Sequence, residues 1–213
     1  KKIITQKGIE LEYDICIFAT GSKAFVLPIE GSNLPSVIGW RTIQDTEQII
    51  DIASKKKKAI VIGGGLLGLE CARGLLDQGM DVTVLHLAEW LMEMQLDRKA
   101  GDMLRADLEK QGMKFELQAN SKRIIGDEDV EAVELADGRV IETDLVVMAV
   151  GIRPYTEVAK DAGLDVQRGI VVNDFLQTSD SNIYAIGECA EHNGKVYGLV
   201  APLYEQGKVL ADY

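Results

Sequence analysis

No apolar run in this 213-residue chain is long enough to cross a bilayer. The longest, AIVIGGGLLGL and DLVVMAVGI, fall well short of the roughly 20 residues that a spanning helix needs, so no membrane partner is expected. No basic stretch followed by an apolar core opens the sequence either, and a cytoplasmic location is the expectation. Cysteine is scarce: Cys16, Cys71 and Cys189 stand far apart with no C-x-x-C pair, which argues against a disulfide framework or a zinc site. Positive charge is also short. The chain has 23 Lys and Arg against 34 Asp and Glu, a net charge of -11, so nucleic acid, which is bound through clustered cations, is not an expected partner. The one basic run, Lys55 to Lys58, precedes an apolar strand pattern and reads as a solvated helix end. No short-period repeat is present.

What is there suits a packed core: 46% of residues are hydrophobic and 27% charged. KIIT and IELEY alternate apolar and polar residues around a QKG turn and lead into the apolar run ICIFA, a hairpin feeding a buried strand. SKAFVLPIEGSNLP, with Pro28, Gly31 and Pro35, has the composition of a linker. TIQDTEQIIDIAS predicts a capped helix. The segment from Ala59 then reads as strand AIVIG, a glycine turn, helix LLGLECARGLLDQG and strand DVTVLHL, a complete β-α-β unit. A helix over about Arg98 to Lys110 follows, then strands KFEL, AVEL, RVIE and DLVVMAVG, a proline turn with a short helix, strands GIVVND and NIYAIGE, and a final helix with Pro202 in its first turn. The methionines Met92, Met94 and Met103 read as core, and His192 as a loop residue. CIFATGSKAFVLP and VVMAVGIRPYTEV echo one another: each is an apolar strand ending in Ala-x-Gly, followed by a proline-containing crossover. Two crossings into and out of an inserted domain would give that pattern.

Gly63, Gly65 and Gly68 form G-x-G-x-x-G between the predicted strand and helix. In that context Gly63 permits the tight turn, Gly65 lets a pyrophosphate approach the backbone, and Gly68 allows the helix to pack closely. The helix N-terminus then receives the negative charge. An acidic residue that holds the adenosine ribose is expected at the end of the second strand, about 20 residues on. His86 stands there instead, with Glu89 slightly beyond and no arginine beside it to hold a 2′-phosphate. His86 is either a ribose contact or simply a polar strand end, and NADH against NADPH stays open.

ATG (Ala19, Thr20, Gly21), VIGGGLLGLE, VGIRP and TSDSNIYAIGE resemble, in order and spacing over nearly the whole chain, the glutathione-reductase-like family of FAD-dependent pyridine nucleotide oxidoreductases. Within it, GECAEHNGKVYGLVAPLYEQG and VTVLHLAEWLMEMQLD are most similar to the flavin region of the assimilatory NAD(P)H nitrite reductases. The resemblance implies an α/β fold in which a Rossmann-like NAD(P)H-binding domain, residues 37–150, is inserted in a partial FAD-binding domain, residues 1–36 and 151–213. It implies that Gly63, Gly65, Leu66, Leu67 and Gly68 cradle the nucleotide pyrophosphate, with Glu70 catalytic beside the nicotinamide and Gly151 and Ile152 lining the nicotinamide path. For FAD it implies contacts from Ala19, Thr20 and Gly21, from Glu188 after Gly187 in place of the family's usual Gly-Asp, and from the helix N-terminus near Pro202. Arg41 would contact the flavin phosphates or lie as a surface arginine.

No glycine-rich unit for the FAD pyrophosphate precedes Gly63. The expectation is therefore a fragment, with an incomplete FAD site, of a flavoprotein that passes hydride from NAD(P)H to FAD, inactive by itself. Missing parts of the parent chain would be its partners, and siroheme and an iron-sulfur cluster in the parent would reduce nitrite to ammonia. The alternatives are a rubredoxin or ferredoxin reductase or an NADH oxidase on the same framework, or, from another class, a nucleotide-binding redox-sensing module.

Overall fold

The computed structural model describes residues 1–212. In chain order the elements are β1 (Lys2–Ile4), β2 (Glu10–Glu12), β3 (Cys16–Phe18), β4 (Ser22–Ala24), β5 (Val37–Gly39), α1 (Ile43–Ala53), β6 (Lys58–Ile62), α2 (Leu66–Asp77), β7 (Asp81–His86) and α3 (Arg98–Lys110). There follow β8 (Lys114–Leu117), β9 (Ser121–Ile125), β10 (Ala132–Leu135), β11 (Val140–Glu142), β12 (Leu145–Met148), β13 (Ile152–Pro154), α4 (Glu157–Asp161), β14 (Ile170–Val172), β15 (Ile183–Ala185), β16 (Ala190–His192), β17 (Lys195–Val196) and α5 (Val200–Asp212). The chain divides into two compact units, residues 24–151, and residues 1–23 with 152–213.

The unit of residues 24–151 is built on a five-stranded sheet of order β5-β12-β6-β7-β8, every pairing parallel. Its strands read as continuous apolar runs because both faces are covered. Side chains alternate between two cores. Ala59, Val61, Val82, Val84, Leu145 and Val147 pack with Ile49 of α1 and Leu69, Ala72 and Leu75 of α2. Ile60, Ile62, Leu85, Val146 and Met148 pack with Ile124, Val133 and Leu135 of the antiparallel meander β9-β10-β11. Val61, Val84, Leu85 and Val147 have no solvent exposure, and each such burial is worth about 1.5–3 kcal/mol relative to leaving the side chain in water. Thr42 and Asp45 form a reciprocal capping box that starts α1, and Asp97 caps α3 through its carboxylate to the Ala100 N–H at 2.9 Å.

By its internal contacts this unit begins at Ala24, whereas the resemblance implies an inserted domain from residue 37. Leu27, Ile29 and Leu34 pack against the meander-side core, and the Ile124 N–H donates to the Glu30 carbonyl at 2.8 Å. Proline and glycine there shape an ordered crossover rather than a tether. Lys55–Lys58, read from sequence as a helix end, is the connection from α1 into β6, and three of its cations are paired: Lys55 bonds Asp51, Lys56 bonds Asp129 and Lys58 bonds Glu142.

The unit of residues 1–23 and 152–213 is assembled from small sheets. β1 and β2 form an antiparallel hairpin, β3 pairs in parallel with β15, β4 pairs with β13, and β14, β16 and β17 form a three-stranded sheet. Its core gathers Ala159, Leu164, Ile170, Val172, Ile183, Ala185 and Cys189. The buried strand expected at ICIFA is corrected: Ile15 and Ile17 are 62% and 50% exposed, since among the described residues β3 pairs with β15 alone. Cys16 is correspondingly half-buried, whereas Cys71 on α2 and Cys189 are buried.

Candidate nucleotide-binding site

The glycine turn joins the carboxyl end of β6 to the start of α2, and its three motif glycines are required for two different reasons. Gly63 has φ +121°, and a Cβ placed there would lie 2.3 Å from the Ala149 carbonyl oxygen. A Cβ on Gly68 would lie 1.9 Å from the Gly63 oxygen, so α2 packs on the turn at backbone contact. Those two positions are fixed by packing. At Gly65, by contrast, a Cβ would meet nothing within 4 Å. Gly65 is the N-cap of α2 and supplies no side-chain cap, and the first turn carries no acidic residue. The leading N–H groups of a 12-residue helix, with Leu66 and Leu67 exposed in its first turn, are left to an external acceptor. Open space over uncapped donors is the cradle that a pyrophosphate requires, and the residues present fit that group.

Gly64, not singled out by the motif, is equally constrained. A Cβ there would lie 2.7 Å from His86 Cγ and 2.8 Å from Leu91 Cδ2. Its N–H donates to His86 Nδ1 at 3.0 Å, so the ring proton is on Nε2, which lies 3.0 Å from both the Trp90 carbonyl and Glu93 Oε2. His86 is 7% exposed and both its nitrogens are committed inside the protein. The histidine that stands where a ribose carboxylate was expected is thus a brace under the glycine turn.

A cavity of about 420 Å³ opens beside this turn, lined by Gly63–Gly65, Leu85, His86, Glu93, Asn120, Ser121, Ala149 and Val150 among others. It lies at the carboxyl ends of β6, β7 and β12, where the strand order reverses direction around β6, the place where doubly wound sheets take their ligands. The Ser121 hydroxyl is buried and has no hydrogen-bond partner among the described residues. Glu93, Asn120 and Ser121 were not found by motif reasoning. The last two follow the end of β8, and a rule that strand-end loops line the crevice would have found them; no sequence signal marks Glu93.

The other expected site residues are distributed over both units. Glu70, exposed on α2, lines a separate depression with Trp40, Thr46, Ile49 and Ile50, so it is not brought together with the cavity lining. Gly151, at φ +109°, follows Val150, and Ile152 starts β13. Thr20 Oγ1 donates to the Tyr155 carbonyl and the Tyr155 N–H to the Gly21 carbonyl, both at 2.9 Å, which joins the two echoing segments; Ala19 precedes them, exposed. Arg41 lies exposed before α1, its backbone N–H donating to Asp45 Oδ2 at 2.9 Å. Gly187, at φ +83°, donates its N–H to Gln206 Oε1 of α5 at 2.8 Å. Glu188 is 9% exposed and accepts a 2.6 Å bond from the Ser22 hydroxyl. Pro202 is half-buried in the first turn of α5. Two smaller expectations are corrected. Met94 and Met103 are 82% and 67% exposed, since they lie on the outward side of the β7–α3 connection and of α3, and only Met92 packs on the core. His192 ends β16 rather than a loop, with Nε2 2.7 Å from Asp174 Oδ1.

The family described as pyridine nucleotide-disulphide oxidoreductase matches residues 1–207. Nitrite reductase [NAD(P)H] of Bacillus subtilis is 55% identical over 213 residues, covering 100% of this chain and 26% of that protein. The assimilatory nitrate reductase electron transfer subunit of the same organism is 49% identical over 213 residues, covering 100% of this chain and 28% of that protein. The chain thus spans about a quarter of the length of these two relatives. Among solved structures, the ferredoxin reductase for the CYP199A2 system from Rhodopseudomonas palustris superposes with a TM-score of 0.92 at 30% identity, over 99% of this chain and 54% of that one. On the matched residues, the parallel sheet and the glycine turn together, the chain belongs to the pyridine nucleotide-disulphide oxidoreductase family.

Proposed function

We propose that this chain binds NAD(P)H on the Gly63–Gly68 turn and serves the hydride-transferring part of a flavoprotein oxidoreductase whose parent reduces nitrite. The observation that carries the reading is the turn itself: packing demands Gly63 and Gly68, whereas Gly65 is unconstrained by any neighbour and leaves open space over uncapped helix donors. NAD(P)H, when bound, would supply a hydride, FAD would take it up, and a nitrite-reducing parent would use the electrons at siroheme and iron-sulfur centres outside this chain. The chain's own work is binding and orientation. The Gly65, Leu66 and Leu67 N–H groups hold the pyrophosphate, and Gly151 and Ile152 flank the nicotinamide end, with Glu70 assigned there by resemblance. On the flavin side, Ala19, Thr20, Gly21, Arg41, Glu188 after Gly187, and the α5 N-terminus near Pro202 are assigned to FAD. A carboxylate at Glu188 accepts hydrogen bonds from sugar hydroxyls, and a helix N-terminus stabilises negative charge on a reduced ring.

The parent's nitrite reduction is supported by the identity to the Bacillus subtilis nitrite reductase, and the electron acceptor is the part of the reading furthest from this chain's own residues. Calorimetric titration of the folded chain with NADH and NADPH is the direct test. Saturable one-to-one binding of at least one nucleotide, abolished by Gly65→Val, is the expected result. A folded sample that takes up neither overturns the assignment of the turn.

A further inference from the structure

The adenosine ribose lacks its usual partner at the end of β7, because His86 is turned under the glycine turn with both ring nitrogens engaged. Seven residues later, the β7–α3 connection brings a carboxylate back to the same cavity: Glu93 lines it together with Gly63–Gly65 and His86. Three features fix it there. The Met92 N–H donates to the Gly64 carbonyl at 3.1 Å, tying the preceding residue to the glycine turn. Met92 holds a left-handed φ of 59°, and the turn it opens is closed by Gln95 and Leu96 N–H groups on the Met92 carbonyl, both at 2.8 Å. His86 Nε2 lies 3.0 Å from Glu93 Oε2.

A carboxylate offers about four acceptor positions, so one bond from His86 leaves capacity for a pair of vicinal hydroxyls. The Glu93 side chain is 35% exposed, open on the cavity side and not sealed in the core. It is also the one acidic side chain in the cavity lining among the described residues; no Lys or Arg is there. Arg98, the next cation along the chain, is spent on Glu89 at 3.1 Å and on Asp102 at 3.8 Å. A 2′-phosphate placed at this carboxylate would meet like charge with no countercharge.

We infer that Glu93, positioned by His86, takes the adenosine ribose hydroxyls and makes this site select NADH over NADPH. The inference rests on the dinucleotide reading above, and the same titration separates the two. Wild-type chain is titrated with NADH and with NADPH alongside Glu93→Gln and, as a control on the same connection, Glu89→Gln, each checked for fold by circular dichroism. Wild type is expected to bind NADH the more tightly. Glu93→Gln is expected to weaken NADH about tenfold, as loss of a charge-assisted bond does, while NADPH binding is unchanged or tighter, so that the preference moves by at least that factor. Glu89→Gln leaves the preference as it was. Tighter NADPH binding by wild type, or a Glu93→Gln chain that binds both nucleotides with the wild-type ratio, overturns the inference and leaves the dinucleotide reading intact. Failure of folded wild type to bind either overturns both.

Discussion

Residues 24–151 and the unit of residues 1–23 and 152–213 are made of similar residues but solve the burial problem differently. The first covers both faces of a five-stranded sheet, and its central side chains are fully shielded. The second spreads its strands over two- and three-stranded sheets and leaves Ile3, Ile4, Leu11, Ile15, Ile17, Leu199, Val200 and Tyr204 exposed. A sheet becomes independently stable when each face has something to pack on. By that criterion the first unit carries its own stability, and it is also the unit that contains the whole candidate nucleotide cavity.

The sharpest way to break that comparison is through the glycines, since each tests a different cause. Gly68→Ala forces a methyl group to 1.9 Å from a backbone oxygen and Gly63→Ala adds a positive φ to a 2.3 Å clash, so each is expected to cost at least ~3 kcal/mol of unfolding free energy. Gly65→Ala meets no neighbour and has an ordinary φ of -85°, so its urea midpoint stays within error of wild type while nucleotide binding falls more than tenfold. Equal destabilisation by all three would show that the turn is a packing device and not a binding one.

Next in size is the contrast between cores. Leu75→Ala, at 2% exposure under the sheet, is expected to cost about 3 kcal/mol, whereas Ile17→Ala, half exposed on β3, costs under ~0.5 kcal/mol. Hydrogen exchange read by mass spectrometry should agree: β6, β7 and β12 amides exchange last, and those of β1–β3 first. Earlier exchange in β6 than in β3 would reverse the ranking of the two units.

How far the sequence showed this in advance follows the same division. β6, the turn, α2 and β7 were legible because strand, glycine spacing and helical period agree within one short segment. β9 was missed, since SKRII has no clean alternation and is made a strand by pairing with β10. The 24–36 crossover was misjudged because Pro28, Gly31 and Pro35 report local backbone shape, while the burial of Leu27 and Leu34 depends on a meander about 100 residues away. At the site, the glycines and the missing ribose carboxylate were legible. Glu93 was not, because its place depends on the left-handed turn at Met92 and on the direction in which His86 points.

Cysteine reactivity gives a smaller test that reads both units at once. Burial on α2 pushes the Cys71 thiol up to about 12, and burial raises Cys16 as well, though that side chain is only half-buried. With iodoacetamide at pH 8, mass spectrometry should find Cys16 carbamidomethylated first, with Cys71 and Cys189 protected until denaturant is added. Early loss of the Cys71 thiol would mean that the helix side of the sheet opens more readily than its packing implies.

The smallest effect concerns an ion pair at the edge of the first unit. Burial alone would raise the Asp129 carboxyl, but hydrogen bonds from Lys56, Ser36 and the Val130 N–H, with the Lys56 charge, hold it down to about 2 against an unfolded value near 3.8. The folded state therefore binds its proton later than the unfolded state does. The stabilisation is fully present above about pH 4, declines as pH falls through the unfolded value, and is gone once pH drops below about 2. Both side chains are partly exposed, so the effect is screened and modest. Urea midpoints measured from pH 5 to pH 2 should fall more steeply for wild type than for Lys56→Met, and the two curves should converge at the acid end. Parallel curves would show that Asp129 stays low without its lysine, held by Ser36 and the backbone alone.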